Sequence, residues 1–152
     1  MVQPVEPLTA ERIGRALKAM GLKVLVNEDG EFLVLFKKDP SANPMALVNV
    51  APQGSANQVL AVIALVKGHP PMEPEELLAK ANEWNGTRRW PRALVRGGEL
   101  LLDYHVDLEE GVTEAQLRNF LATAFSGIGQ FLLWIEGGDD LEDLFRTLGL
   151  LG

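Results

Sequence analysis

Residues 81–120 read ANEWNGTRRWPRALVRGGELLLDYHVDLEEGVTEAQLRNF, and this stretch decides the fold. It predicts a helix end, two strands on a Gly-Gly turn and the start of another helix. Asn85-Gly86 suits a helix C-terminus, because Asn and Gly tolerate left-handed backbone. Trp90 to Arg96 reads as a strand, and Pro91, with no N–H for a ladder, sets it at a strand start or a sheet edge. Gly97-Gly98 fits a two-residue hairpin turn with positive φ. Glu99 to Asp107 is the return strand. Its Leu100, Leu102, Tyr104 and Val106 alternate with Asp103, His105 and Asp107, so a period of two sends the first set to the core and the second toward water. Thr113 then caps a helix, Gln116 closes a capping box, and Val112 staples onto Leu117.

The chain has 152 residues, a length that suits one domain burying about two-thirds or more of its unfolded surface. Its net charge of −7 argues against nucleic acid or an anionic membrane as partner. It contains no cysteine, which excludes disulfides, thiolate catalysis and zinc–cysteine sites and fits a reducing compartment. The opening MVQPVEPLT shows neither a basic region nor an apolar core of a secretory signal. The longest apolar run, Val59 to Val66, is too short to cross a bilayer. The expectation is a cytoplasmic protein.

Working outward toward the N-terminus, residues 1–8 are interrupted by prolines and read as loose. Thr9 caps a helix carrying Ile13, Ala16, Leu17 and Met20 on one stripe, and Gly21 stops it. Leu22 to Asn27 and Glu31 to Lys37 read as strands around Glu28-Asp29-Gly30. Residues 39–44 form a loop. Met45 to Ala51 is a third strand, Pro52-Gln53-Gly54 a turn and Asn57 to Val66 a fourth strand. Phe32 to Phe36 and the fourth strand are apolar on both faces, which calls for cover on both sides by helices or by another subunit. Pro74 suits the first position of a helix with Leu77, Leu78, Ala81 and Trp84 on one face.

Toward the C-terminus, a long helix runs from Glu114 to about Ile135. Its stripe is Leu117, Phe120, Leu121, Ala124, Phe125, Ile128, Phe131, Leu132 and Ile135. Gly127 and Gly129 either permit close packing or bend it. Phe131 to Ile135 is apolar all round, so a second surface is expected over it. After Gly137-Gly138, residues 139–149 read as a short amphipathic helix with Leu141, Leu144, Phe145 and Leu148 on one side, and Asp139 with Glu142 approximates a capping box. The predicted order is α-β-β-β-β-α-β-β-α plus this short helix: an α+β domain spanning 1–152, with a twisted, mainly antiparallel sheet and helices packed on it.

The Asn82-Glu83-Trp84-Asn85 helix end, the Trp90 to Arg96 strand and the Leu100 to Leu108 strand entering Gly111-Val112-Thr113 resemble the YbjN family of bacterial sensory transduction regulators. Helix order over most of residues 9–135 agrees. The resemblance implies a fold like that of the class I type III secretion chaperones, which dimerise and bind segments of other proteins. It implies no catalytic residues. The acidic Leu/Phe tail after Gly138 departs from the family pattern.

Chemistry-bearing residues are few. Asp103, His105 and Asp107 share a strand face and are candidate metal ligands, the basis of an alternative reading as a metal-dependent enzyme or small-ligand binder. Same-face neighbours on one strand stand about 6–7 Å apart, so further ligands would be needed. A solvated strand face explains the same alternation. His69 lies in a proline loop with no nucleophile nearby. Arg88, Arg89, Arg92 and Arg96 around Trp90 form the one basic cluster with an aromatic. In an acidic chain they read as partners for acids. No catalytic or cofactor residue is assigned. The interaction candidates are Trp90, Phe131, Trp134, Leu141, Leu144 and Phe145, as anchors to a protein partner or to a second copy in a homodimer.

Overall fold

The computed structural model describes residues 3–137. Thr9 opens α1 (Ala10–Ala19): its hydroxyl accepts from the N–H of Arg12 at 3.1 Å, and Gly21 follows the helix with φ +77°. Four strands succeed it, β1 (Leu25–Val26), β2 (Phe32–Phe36), β3 (Ala46–Gln53) and β4 (Val59–Val66). Then come α2 (Pro74–Thr87), β5 (Arg92–Arg96), β6 (Glu99–Asp107) and α3 (Glu114–Glu136). The class is α+β, with three helices and one antiparallel six-stranded sheet among the described residues, ordered β1-β2-β3-β4-β6-β5.

All three helices serve one side of the sheet. Val34, Phe36, Val48, Val50, Leu60, Val62, Leu100 and Leu102 point to that side and are buried. The Phe36 ring stacks on Phe125 of α3 with centroids 5.9 Å apart. Phe32 lies under Gly14 of α1, where a Cβ would come within 2.9 Å of the ring. The predicted α3 stripe is buried throughout except Phe120, which is half-buried. Thr113 caps α3, its hydroxyl accepting from Gln116 N–H, with Val112 and Leu117 both buried beside it. Gly97 and Gly98 make the hairpin turn with φ +59° and +79°, as that turn requires.

Local signals misplaced several ends. β1 holds two residues rather than six, because Leu25 and Val26 are both exposed and little burial rewards its extension. Pro52 and Gln53 continue β3 instead of turning, paired with Leu60 and Val59. Gly86 lies inside α2, which runs on to Thr87. Asn85 does not cap that helix: its side-chain amide donates to Ala93 O and accepts from Ala93 N–H, both at 2.8 Å, lying along the outer edge of β5. Leu78, predicted on the apolar face of α2, is 57% exposed. The N-terminal segment is held from residue 3 onward. Glu6 exchanges backbone hydrogen bonds with Val112 (3.3 and 2.9 Å), and Leu8 is buried.

The apolar run in α3 is covered within the chain. Phe131 and Leu132 are fully buried, and Trp134 packs on Trp84 and Phe131 with ring centroids 5.5 and 5.6 Å away. Lys80 Nζ sits 5.1 Å above the Trp134 ring. The second surface expected there is supplied by α2. Gly127 serves close packing: α3 is continuous, and a Cβ at that position would stand 2.8 Å from Pro91 Cδ. The predicted helix over 139–149 falls outside the described residues.

Candidate functional site

The opposite side of the sheet carries no described helix. Antiparallel register builds it row by row. Leu35 pairs with Leu47, Leu47 with Leu65, Leu65 with Leu101 and Leu101 with Leu94. Five leucines from five strands thus form one cross-strand row, and each is partly exposed. Their helix-side neighbours Phe36, Ala46, Val66 and Leu100 are buried. A leucine row with sheet beneath it and no described helix above presents contiguous apolar surface, the kind of patch that marks interaction sites.

One same-face step toward the nearer strand ends, the side chains become charged. Lys37 follows β2, Lys67 follows β4, and Arg96 closes β5, with Glu99 opposite Arg96 in the register and 3.7 Å from Lys67. A shallow depression of about 280 Å³ ends the row at the β2 edge, lined by Leu22, Lys23, Leu25, Leu35, Lys37 and Pro40 among others. One step the other way, the row reads Leu33, Asn49, Ile63, Asp103 and Arg92. The face is therefore charged at one margin, where Lys37, Lys67 and Arg96 stand with Asp39 and Glu99, leucine-rich in the middle and mixed beyond.

Asp103 and His105 lie in the mixed part. Asp103, expected to face water, is buried because Arg92 from the paired strand covers it. Arg92 donates from Nε and from an η-nitrogen to the two carboxylate oxygens at 2.9 and 2.6 Å. That hydrogen bonding, with the carboxylate charge, raises the Arg92 pKa above its ordinary value. His105 Nδ1 is 3.9 Å from the same carboxylate, and Asp107 accepts from Glu109 N–H at 3.1 Å. A guanidinium seated on the Asp103 carboxylate opposes a cation there. Among the described residues no group of three or more His, Cys, Asp or Glu is arranged to hold a metal.

The other candidates separate. Trp90 is 45% exposed and meets Tyr104 edge-on at 6.2 Å, so it belongs to the helix side, away from the leucine row. Burial raises the pKa of that tyrosine. Phe131 is a core residue and not a surface anchor; Trp134 is half-buried between Trp84 and Lys80. Leu141, Leu144 and Phe145 fall outside the described residues. The arginine cluster is divided: Arg92 serves Asp103, and Arg88 lies 5.0 Å over the Trp84 ring. The leucine row was not foreseen. Its signal was the two-sided apolar character of residues 32–36 and 57–66, but only register joins those strands to Leu94 and Leu101.

Fold and face together define a small α+β protein whose described helices all lie on one side of its sheet. A family model described as "Putative bacterial sensory transduction regulator" matches residues 9–137, and the chain belongs to that family, YbjN. No curated protein matches it in sequence. Among solved structures it is similar to the Yersinia pestis type III secretion chaperone SycH, determined in complex with a stable fragment of YscM2. The two are 14% identical with a TM-score of 0.49, over 83% of this chain and 98% of that one. No described helix is long and apolar enough to cross a membrane.

Proposed function

We propose that the chain is a non-catalytic protein-binding module, an adaptor or chaperone-like holder acting in bacterial signalling or stress responses in the cytoplasm. It works without a cofactor, nucleic acid or membrane. The supporting observation is the leucine row on the sheet face that carries no described helix. Its occupant is an apolar segment of a partner protein flanked by acids: the leucines supply burial, and Lys37, Lys67 and Arg96 along the margin select negative flanks. The family description supports the signalling context.

The test compares the full chain with its Leu65→Glu variant as bait in an extract of the native cell, read by mass spectrometry. Leu65 is half-buried on the open side, so the variant keeps its fold, checked by circular dichroism. Proteins retained by the parent should fall about tenfold or more with the variant, as a central apolar contact is worth 1.4 kcal/mol or more. An unchanged set overturns the reading.

Homodimerisation is part of the proposal and is placed at β1. Leu25 and Val26 are exposed on an edge strand of two residues, and unpaired strand edges favour pairing with another chain. Sedimentation equilibrium at micromolar concentration should read a dimer; a monomer there overturns the pairing.

A further inference from the structure

The helix layer carries a polar depression of its own, on the side of the sheet away from the leucine row. It lies between α1 and α3 and holds about 200 Å³, where a single water needs about 10–15 Å³. Helical spacing builds its walls. Arg12, Arg15, Ala16 and Ala19 form one stripe of α1, and Glu114, Leu117 and Arg118 form one stripe of α3. The alanines leave room and the arginines supply charge. We propose that this cleft binds a small, doubly charged oxyanion of the phosphate type, held by Arg12, Arg15 and Arg118.

Three observations carry it. The first is an unmet donor. Arg12 is buried, and its η-nitrogens donate to the carbonyls of Glu6, Pro7 and Val112. Its Nε–H is also buried and has no acceptor, the one such side-chain atom among the described residues. A buried donor on a charged group is costly to leave unpaired, and an anion in the cleft offers it an oxygen. The second is charge balance. Three guanidiniums against one carboxylate leave the lining at +2, in a chain whose net charge is −7. Glu114, the acid of the lining, does not close the site. It stands 3.8 Å from Arg15 with both side chains about two-thirds exposed, a pair that water and salt weaken. The third is an available fork. Arg118 makes no hydrogen bond or ion pair among the described residues, so its guanidinium can meet two oxygens of one ligand. The α3 N-terminus is not the site. Its Ala115 N–H already donates to Gln3 Oε1 and its Gln116 N–H to the Thr113 hydroxyl. A ligand gripped from both helices ties α1 to α3, and it owes nothing to the protein-binding reading of the opposite face.

The probe is inorganic phosphate, titrated into the full chain near pH 7.5, where the dianion dominates (second pKa about 6 for phosphate esters). Sodium chloride holds the ionic strength constant, and nitrogen-15 amide shifts give the readout. The shifts should saturate with a dissociation constant of about 1 mM or tighter. They should centre on residues 12–19 and 114–118, and the Arg12 Nε–H resonance should move with them. Arg15→Gln and Arg118→Gln should each weaken binding about tenfold. Both side chains are exposed, so the fold persists, as circular dichroism checks. Arg118→Lys keeps the charge without the fork and should fall between the parent and Arg118→Gln. Glu114→Gln removes the opposing charge and should tighten binding about threefold. Arg89→Gln, exposed and outside the cleft, should leave the constant within about twofold. Methyl phosphate in the same titration separates a free ion from an ester; tighter binding of either names the source and keeps the inference. No saturation by about 20 mM phosphate overturns it. So do shifts centred elsewhere, or equal weakening by Arg89→Gln and Arg118→Gln.

Discussion

Trp84→Ala should lower the unfolding free energy by about 4 kcal/mol, the cost of truncating a fully buried aromatic. Trp84 is 1% exposed and meets Phe131 edge-on at 5.0 Å and Trp134 at 5.5 Å. Its indole N–H donates to Pro91 O at 2.8 Å, which ties α2 to the start of β5. Truncation opens a cavity where α2 and α3 meet and leaves a buried carbonyl unpaired. Trp84→Phe keeps most of the volume and loses the hydrogen bond, so its cost should be about 1–2 kcal/mol. Urea denaturation followed by far-UV circular dichroism measures both. A loss below about 1.5 kcal/mol for the alanine variant would mean that the cluster of Trp84, Phe131 and Trp134 does not secure the helix layer.

Arg12→Met should cost about 3 kcal/mol, with the damage centred on the N-terminal segment. The Arg12 guanidinium is buried and donates to three backbone carbonyls: Glu6 O at 2.6 Å, Pro7 O at 2.9 Å and Val112 O at 2.7 Å. These bonds join the segment before α1 to the loop before α3. Methionine fills the stem's volume and supplies no donor. Amide exchange at Glu6 and Val112, which share a two-residue bridge, should accelerate by a larger factor than exchange in β3 and β4. Arg12→Lys should recover only part of the loss, since one ammonium cannot span three carbonyls in the guanidinium's fixed fork. Uniform acceleration across the sheet would show that Arg12 supports the core generally and does not act as a clamp.

The sequence was informative where the cause of structure is local. The Thr9 and Thr113 caps, the Gly97-Gly98 turn and the α3 stripe are each set by residues within a few positions of one another, and each stands where the pattern puts it. It was silent where the cause is pairing across the chain. Asp103 reads as a solvated carboxylate until β5 lies against β6 and brings Arg92 opposite it. Residues 3–8 read as loose because their partner, Val112, is over a hundred positions away. The leucine row is the sharpest case. Leu35, Leu47, Leu65, Leu94 and Leu101 are ordinary strand leucines individually, and only four successive registers place them side by side. Gly86 failed for another reason: the cap signal was real, but Asn85 had a stronger use at Ala93, and the helix ran past both.

That use of Asn85 has a consequence for assembly. A side-chain amide that reproduces a strand's donor and acceptor plugs the β5 margin, so an incoming chain finds Ala93 already taken. Head-to-tail stacking, in which one molecule's first strand joins the next molecule's fifth, would therefore have to give up the Ala93 pair of hydrogen bonds. A contact that used the β1 margin from both molecules would be isologous, closing at two copies without propagating into a filament.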